Sequence, residues 1–202
     1  MAQRVAVVAA GGTGGHMFPA QALAEALIAR GWRIILASDE RVAGFAGNFP
    51  AEMRIGLSAR TFKSGDPVGM GLAGLAIVRG VLQARTAFKK IDPAIVVGFG
   101  GYPSLPALLA ALGQKRPTVI HEQNAAAGMT NRLLARIASK VLQAFPNTFV
   151  SATTVGNPVR AGFVELAAPA QRLSAHQGAP RLLVLGGSQG ARALNQMVPA
   201  AL

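Results

Sequence analysis

The chain of 202 residues has no cysteine, few acidic residues and few aromatic side chains. Without cysteine, disulfides, thiolate metal sites and cysteine nucleophiles are excluded. Aromatic residues make up only 5% of the chain, with one Trp and one Tyr, so stacking platforms for nucleic acid are scarce. No predicted helix concentrates basic residues as a groove-reading helix does, and we therefore expect no nucleic-acid partner.

The shortage of acidic residues leaves the chain strongly basic. Lys and Arg number 20 against 8 Asp and Glu, which gives a formal net charge of +12. Such a balance favours polyanions, anionic lipid or phosphorylated substrates as partners. The alternative is that the charge serves solubility alone. Both interpretations stay open, because the basic residues are spread along the sequence.

Long uninterrupted apolar runs are also missing. The apolar stretch Val5–Ala10 is short and leads directly into a glycine-rich turn, which is not the pattern of a signal peptide. The longest candidate, Val68–Val78, stops at Arg79, short of the roughly 20 apolar residues that span a bilayer. We expect a cytoplasmic protein that is not integral to a membrane.

Three glycine-rich turns each follow an apolar, strand-like run and precede a helical pattern. They are Gly11–His16, Gly98–Ser104 and Gly186–Ala191. A strand that turns sharply into a helix presents free backbone N–H groups at the positive helix end, which favours phosphate. No Gly-Lys-Ser/Thr follows the first turn, and it lacks the last glycine of the dinucleotide fingerprint. The turns predict a protein that handles phosphorylated or diphosphate-bearing molecules.

Strand and helix patterns alternate along the chain. Apolar runs separated by helical segments predict an α/β fold, a Rossmann-like parallel sheet with helices on both faces. Among the expected helices are Phe18–Arg30, closed by Gly31, and Leu72–Lys90. The spacing predicts strands at these positions: Val5–Ala10, Arg33–Ala37, Arg54–Leu57, Ile95–Val97, Thr118–His121, Val141–Ala144 and near Val155.

The composition suggests a domain boundary late in the chain. We predict an N-terminal domain over residues 1–165, a linker over 166–180 and a new βα unit over 181–202, the first of a second domain. The segment Pro169–Pro180 is polar and rich in helix breakers. A strand at Arg181–Leu185 and the helix after it restart the pattern of the first thirty residues. The competing interpretation adds these elements to the first sheet.

Five motifs in order carry a family resemblance that runs from about residue 4 to the end. They are Gly11-Gly-Thr-Gly-Gly-His16, Gly98-Phe-Gly-Gly-Tyr-Pro-Ser104, His121-Glu-Gln-Asn124, Gly156-Asn-Pro-Val-Arg160 and Gly186-Gly-Ser-Gln-Gly-Ala191. Together they resemble the MurG family of glycosyltransferases. The resemblance implies transfer of N-acetylglucosamine from UDP-GlcNAc to the muramoyl sugar of lipid I, a polyprenyl-diphosphate-linked acceptor, to give lipid II in peptidoglycan synthesis.

The same resemblance implies two Rossmann-like domains in the GT-B arrangement. The N-terminal domain would hold the acceptor and contact the membrane, and the C-terminal domain would hold most of the donor nucleotide. The location would be the cytoplasmic face of the bacterial inner membrane. This chain stops just inside the second domain, so we expect that it does not catalyse transfer by itself. The alternatives are another GT-B glycosyltransferase, a sugar-nucleotide epimerase or a basic anion-binding domain without enzymatic activity.

Two residues are candidates for the catalytic chemistry. His16 follows the first turn at a predicted helix N-terminus, where the positive helix end disfavours imidazolium and keeps the ring able to accept a proton. We interpret it as the general base or a positioner of the acceptor; the alternative is a histidine that hydrogen-bonds the turn. Glu122, at the end of a strand, is expected to orient a histidine or receive a proton.

The resemblance implies three groups of binding residues. Tyr102 has a second interpretation as a ring packed on its turn, Asn131 as a helix-surface amide and Arg160 as a surface ion pair. The donor-binding candidates are Thr13, Gly14, Gly15, Asn124, Arg160 and Ser188. The acceptor- or diphosphate-binding candidates are Gly100, Gly101, Tyr102, Ser104 and Asn131. Further cleft candidates are His121, Gln189 and Asn195.

No metal site or cofactor is expected. Asp39-Glu40 is the only adjacent acidic pair in the sequence, and no Asp-x-Asp motif occurs. The charge of a leaving diphosphate would instead be neutralised by helix ends and Arg160. UDP-GlcNAc would then be a substrate, with no essential metal.

The segment Val68–Lys90 is apolar around most of a helical circumference and carries several cations. Such a helix is deeply buried or touches something apolar. An apolar patch ringed by basic residues suits an anionic membrane surface, whereas packing on the sheet explains one face only. The predicted membrane contacts are Leu75, Arg79, Leu82 and Arg85.

Overall fold

Seven parallel strands form one sheet within the first of two units of this chain. The computed structural model describes residues 3–39, 48–60, 65–174, 177–186 and 191–201. Contacts divide the chain into Met1–Ala161 and Gly162–Leu202. The strands are β1 Val5–Ala9, β2 Arg33–Ser38, β3 Met53–Gly56, β4 Ile95–Gly98, β5 Thr118–Glu122, β6 Lys140–Gln143 and β7 Thr153–Thr154.

The strand order confirms the predicted parallel, Rossmann-like sheet. It runs β3-β2-β1-β4-β5-β6-β7, and every neighbouring pair is parallel. The chain therefore reverses its direction of travel across the sheet between β1 and β4. In open α/β sheets, ligands bind at the carboxyl ends of the strands beside such a switch point.

Helices cover both faces of the sheet, as predicted. Val7 and Ala9 of β1 lie in one apolar cluster with Phe88 and Leu108, whereas Val8 lies in the cluster on the other face. The alternation of side chains along a strand explains why one strand supplies both clusters. The described helices are α1 Gly14–Ile28, α2 Pro67–Ile91, α3 Ser104–Gly113, α4 Met129–Leu134, α5 Ala161–Val164, α6 Pro169–Leu173 and α7 Arg192–Ala201.

Helix α1 begins four residues earlier than the sequence pattern predicts. Gly14 rather than Phe18 is its first residue, and Thr13 in extended conformation is the N-cap. The helix begins with two glycines, and helix propensity does not predict these residues as helical because glycine is a poor helix former. The consequence is functional: His16 stands inside the first turn of α1 and not in the loop before it.

Helix α2 is longer than predicted and more exposed. Asp66 caps it by accepting a hydrogen bond from the Gly69 backbone N–H at 2.9 Å, and Asp92 ends it in the left-handed conformation. Its buried residues are small apart from Phe88. Gly80 lies directly against Pro106 of α3 and the Ser58 carbonyl oxygen, so α2 packs closely on one side.

Length and composition alone would allow α2 to cross a membrane. It has 25 residues, its most apolar window has a mean hydropathy of 1.4, and 17% of that window is buried. The prediction that no segment meets the criteria for a span is therefore wrong for α2, because the count of uninterrupted apolar residues stopped at Arg79. A single such helix is weak evidence of a span, since core helices pass the same test.

The second unit is described by itself. Residues 177–186 contain no strand, so the strand predicted at Arg181–Leu185 is not formed there, although α7 follows as expected. A strand requires hydrogen bonds from a neighbouring strand, and all seven strands of the sheet lie in the first unit. The assignment of this unit to a donor-binding domain stays a prediction.

Candidate functional site

The first glycine-rich turn brings His16 to the carboxyl edge of the sheet. The Thr13 hydroxyl oxygen lies 3.4 Å from His16 Nδ1, and the His16 backbone N–H donates to the Thr13 carbonyl oxygen at 3.2 Å. Thr13 does not cap α1 with its side chain. Its hydroxyl instead contacts the imidazole, and its backbone opens the helix.

The second glycine-rich turn contacts the imidazole directly. A Cβ on Gly100 would lie 3.0 Å from His16 Cδ2 and 3.3 Å from Asn131 Nδ2. The φ angle of Gly100 is +92°, a backbone conformation that favours glycine. Any larger side chain at this position would push the histidine and the asparagine apart.

The two turns also touch each other through their backbones. Gly101 has a φ angle of +76°, and a Cβ there would stand 2.4 Å from the Gly11 carbonyl oxygen. This close approach explains why the second turn needs consecutive glycines. It makes the ends of β1 and β4 one rigid platform.

Ser104 supports that platform and does not line the cleft, so the acceptor contact expected of it is not what the structure shows. Its side chain is fully buried. The hydroxyl is within hydrogen-bond distance of the Ala9 carbonyl oxygen at 2.9 Å and of the Gly100 carbonyl oxygen at 2.8 Å. Both contacts lie within the protein, because the hydroxyl ties the end of β1 to the second turn.

Glu122 is the centre of a buried hydrogen-bond network at the end of β5. One carboxylate oxygen accepts from the backbone and side-chain nitrogens of Asn124, both at 3.0 Å. The other accepts from the Gly128 backbone N–H at 3.1 Å and from Asn131 Nδ2 at 2.9 Å. With four donors on its two oxygens, Glu122 fixes the path of the loop from β5 to α4.

Glu122 also acts on His16 through its charge. Burial lowers the pKa of His16, and the negative charge of Glu122 opposes that effect. The balance leaves the pKa of the imidazole below its usual value, so the ring is neutral at pH 7. A neutral imidazole beside a fixed carboxylate can accept a proton, and the carboxylate then stabilises the imidazolium that forms.

These groups surround a cleft of about 170 Å³. The structure thus brings together six residues that the sequence predicted from separate motifs: His16, Gly100, Gly101, Tyr102, Glu122 and Asn131. Asn131 is 1% exposed, and its Oδ1 has no hydrogen-bond partner among the described residues.

Three lining residues were not predicted. Gly128, Met129 and Thr130 close the cleft at the start of α4. They lie outside the five sequence motifs, and the only signal was their position just before Asn131, where α4 begins. Their contribution depends on Glu122, which holds the Gly128 backbone in place.

Other predicted site residues lie outside the cleft lining. Gly14 is buried and Gly15 is exposed at the start of α1, and Asn124 is exposed and donates to Glu122. Ser188 and Gln189 lie outside the described residues. Asn195 is exposed on α7 in the second unit.

His121 is a structural residue here, in contrast to its prediction as a cleft residue. It is 2% exposed, its ring lies 5.4 Å from the Phe99 ring centroid, and its Nε2 is 2.9 Å from the Gly156 carbonyl oxygen. Burial is the main cause that lowers the pKa of His121. Its position follows from strand alternation, which places it on the opposite face of β5 from its neighbour Glu122.

Arg160 contacts the first helix. Its guanidinium carbon lies 4.3 Å from the centroid of the Phe18 ring, in cation–π geometry. The Gly156–Arg160 motif is further held by Asn157, whose amide donates to the Gln123 carbonyl oxygen at 3.2 Å. Phe18 was not predicted as a site residue, and it places the Arg160 guanidinium beside the helix that carries His16.

The described residues contain no cluster of three or more His, Asp or Glu side chains that could hold a metal ion. The site consists instead of two touching glycine-rich turns, a neutral histidine and a buried carboxylate at the switch point of a parallel sheet. These features define a Rossmann-like domain with a cleft at the carboxyl edge of its sheet.

The chain belongs to glycosyltransferase family 28, whose N-terminal domain model matches residues 6–143. One curated relative is the UDP-N-acetylglucosamine--N-acetylmuramyl-(pentapeptide) pyrophosphoryl-undecaprenol N-acetylglucosamine transferase of Phenylobacterium zucineum. The two sequences are 60% identical over 207 residues, and the match covers 99% of this chain and 57% of that protein. The protein of the same name from Caulobacter vibrioides is 56% identical, with 98% and 56% covered.

A solved structure agrees with the sequence relatives. The crystal structure of Acinetobacter baumannii MurG superimposes with a TM-score of 0.76 at 30% identity, covering 99% of this chain and 56% of that one. The chain thus spans little more than half the length of the curated relatives it matches.

Proposed function

We propose that this chain is the acceptor-binding half of an enzyme that transfers N-acetylglucosamine from UDP-GlcNAc to undecaprenyl-diphosphate-linked N-acetylmuramoyl-pentapeptide. The names of the relatives supply the reaction. The observation that carries the proposal is the cleft in which His16, Glu122 and the second glycine-rich turn meet. Peptidoglycan synthesis is the process to which such a transfer belongs.

The chemistry follows from the states of the two ionisable groups. The neutral His16 ring accepts the proton of the acceptor hydroxyl as its oxygen bonds to the anomeric carbon of the donor sugar. The bond from that carbon to the diphosphate breaks, and UDP leaves with the electron pair. Glu122 stabilises the imidazolium by its charge, at no cost in rearrangement because its oxygens are already held.

The donor side is proposed from residues outside the cleft lining. Arg160, stacked on Phe18, provides a guanidinium for the diphosphate. Ser188, Gln189 and Asn195 would complete the donor contacts together with residues of a second domain. In this proposal helix N-termini and Arg160 neutralise the leaving group, and no metal is essential; full activity in the presence of EDTA is the expected result.

The outer surface of α2 supports a peripheral site on an anionic membrane. Leu75 is 68% exposed and Leu82 is 58% exposed, and Arg79 and Arg85 lie on the same helix. An acceptor held in the bilayer by its lipid requires the enzyme to work at that surface. We propose the cytoplasmic face of the bacterial inner membrane, where UDP-GlcNAc is available, and no nucleic-acid partner.

A paired titration tests the proposal. The 202-residue chain is followed by NMR while UDP-GlcNAc and a soluble acceptor analogue are added separately. We expect shifts at Gly11–His16 and Gly98–Ser104 with the analogue and weak or absent binding of UDP-GlcNAc. Tight UDP-GlcNAc binding without a response to the analogue would show that the two halves are assigned wrongly and would favour a different sugar-nucleotide protein.

Turnover tests the role of His16. In the protein extended by its second domain, His16→Ala should lower the transfer rate by about 100-fold or more, the range of general base catalysis. His16→Ala should leave acceptor binding by the chain within a few-fold of the parent. A loss in rate below tenfold would contradict the base assignment.

A further inference from the structure

Two neighbouring cavities of contrasting character lie between α2 and the β2–β3 side of the sheet. The first, called here the polar cavity, has a volume of about 460 Å³, and Asp39, Ser58, Arg60, Arg79 and Gln83 are among its lining residues. The second, called the apolar groove, has a volume of about 790 Å³. Met53, Ile55, Leu82 and Ile91 give it an apolar lining, with Lys90 beside them. Neither cavity contributes to the cleft around His16.

The two cavities are neighbours that share part of their lining. Gly56, Arg79 and Gln83 line both of them. Gly56 ends β3, and the other two residues are one helical turn apart on α2, so the junction is a single point between strand and helix. A molecule with a charged end and a hydrocarbon end could occupy both cavities at once, with Arg79 at the boundary.

The polar cavity suits a phosphate group. Arg60 and Arg79 supply two guanidinium groups, the side chain that matches phosphate geometry best. Neither guanidinium forms an ion pair within the part of the chain that the structure describes. Gln83 is held by its Oε1, which accepts from the Ser58 backbone N–H at 2.8 Å, and its amide nitrogen remains a donor. Asp39 adds a carboxylate on the β2 side, so cations outnumber anions there.

The apolar groove suits a hydrocarbon chain. It lies along β3, an edge strand, and beside the exposed side chain of Leu82. Met53 is 46% exposed in the groove wall. A hydrocarbon chain that lies in the groove would cover these side chains, so that both apolar surfaces are removed from water. The other exposed apolar side chains of α2 precede the groove, from Val68 to Val78, and Leu82 is where the groove adjoins this proposed membrane surface.

The polar cavity also adjoins the cleft. Asp39 Oδ1 lies 3.6 Å from the point where a Cβ on Gly11 would stand, and Gly11 contacts Gly101 of the second turn. The strands are parallel, and their carboxyl ends share one edge of the sheet. The cavity lies at the ends of β2 and β3 and the cleft at the ends of β1, β4 and β5, so one to four strand spacings, roughly 5–20 Å, separate their lining residues. A diphosphate linked to a sugar can bridge that distance.

We propose that the polar cavity and the apolar groove bind the lipid end of the polyprenyl diphosphate acceptor. The diphosphate lies at Arg60 and Arg79, the first isoprene units lie in the groove, and the sugar reaches the cleft. The inference rests on the proposed function for the identity of the acceptor. It divides the four α2 residues predicted to contact the membrane: Arg79 and Leu82 contact the substrate, whereas Leu75 and Arg85, which line neither cavity, contact the bilayer.

Farnesyl diphosphate is the probe, added to the 202-residue chain without vesicles or divalent cations and below its critical micelle concentration. We expect it to bind at least tenfold more tightly than inorganic diphosphate. Arg79→Ala and Leu82→Ser should each weaken its binding at least fivefold. The matched variants Arg85→Ala and Leu75→Ser, on the same helix and likewise exposed to water, should stay within twofold of the parent. All four side chains are exposed, and circular dichroism confirms that each variant is folded.

Binding of inorganic diphosphate distinguishes the contribution of the polar cavity from that of the apolar groove. Arg79→Ala should weaken its binding as well, whereas Leu82→Ser should not change it. Equal binding of farnesyl diphosphate and inorganic diphosphate, or equal effects of all four substitutions on the probe, would overturn the inference. Cosedimentation with vesicles of anionic phospholipid is the second measurement. If all four variants bind vesicles equally weakly while their binding of farnesyl diphosphate is unchanged, α2 contacts the bilayer alone.

The outcome can be told apart from a failure of the proposed function. The extended enzyme is assayed with an acceptor that lacks the prenyl chain. If transfer occurs but the farnesyl diphosphate probe does not discriminate Arg79 from Arg85, only the lipid site is wrong. If the probe discriminates but no sugar is transferred, the lipid site stands and the proposed reaction is wrong.

Discussion

The cleft and the outer face of α2 differ in the kind of side chain that each one buries or exposes. In the cleft wall, Glu122 and Asn131 are polar yet 1% exposed each, and internal hydrogen bonds hold them. On α2, Leu75 and Leu82 are apolar yet more than half exposed. Partners within the protein hold these buried polar groups in place, so the cleft wall is rigid. Exposed apolar groups lack such partners, and a cluster of them marks an interaction surface.

The largest expected effect comes from a substitution where the two glycine-rich turns touch, beside the rigid cleft. Gly101→Ala would put a methyl group 2.4 Å from the Gly11 carbonyl oxygen in a residue with a φ angle of +76°. Backbone strain and the clash together should lower the free energy of unfolding by about 3 kcal/mol or more. Urea unfolding followed by circular dichroism measures the loss.

A matched glycine separates the clash from the strain. Gly12 has a φ angle of +87°, but a Cβ there would have nothing within 4 Å. Gly12→Ala should therefore cost only about 1–2 kcal/mol, the strain alone. Equal losses for the two variants would contradict the direct contact between the turns.

The next effect concerns the buried carboxylate. Glu122→Gln keeps the shape but replaces one acceptor oxygen by an NH2 group that faces existing donors. The free energy of unfolding should fall by about 2 kcal/mol. The substitution also removes the negative charge that raises the pKa of His16, so that pKa should fall further. NMR titration of the His16 ring measures it; an unchanged or raised pKa would refute the electrostatic link. Glu25→Gln, at a half-buried carboxylate of α1 that accepts from Gln21, is the control.

A smaller effect is the pH dependence of stability. Burial holds the pKa values of His16 and His121 below their usual range in the folded state. As the pH falls below about 6.5, the unfolded chain takes up protons that the folded chain excludes. Folding stability contributed by the neutral rings is therefore present at pH 7 and is lost towards pH 5. Urea midpoints between pH 7 and 5 should shift less in the double variant His16→Gln, His121→Gln; parallel curves would contradict this.

The smallest expected effects come from substitutions on the exposed face of α2. Each cation of α2 near an anionic bilayer should contribute about 1 kcal/mol to vesicle binding, so Arg85→Ala should weaken binding about fivefold. Cosedimentation with vesicles at two salt concentrations measures it, because screening should reduce the difference. Arg30 is exposed just after α1, a helix that packs on the opposite face of the sheet from α2, and Arg30→Ala is a control for loss of charge alone. Equal losses for both variants would leave α2 without a special role.

The strand positions in the first unit were predictable because each apolar run is short and is bounded by glycine or polar residues, whereas the order of the strands came from the structure. The six cleft residues were also predictable one by one from their motifs. Their roles within the site were not equally visible. Ser104 and Glu122 both follow or end a strand, but only the structure shows that Ser104 ties β1 to the second turn and that Glu122 holds four donors.

The sequence by itself determined the parallel sheet, the glycine-rich turns at its carboxyl edge and the basic, apolar character of α2, because periodicity and local turn chemistry are properties of neighbouring residues. Only the tertiary structure decided that Gly100 contacts the ring of His16, that His121 lies within the core, and that α2 and β3 enclose two neighbouring cavities. Those contacts join residues distant in sequence, and their distances depend on how the strands and helices pack.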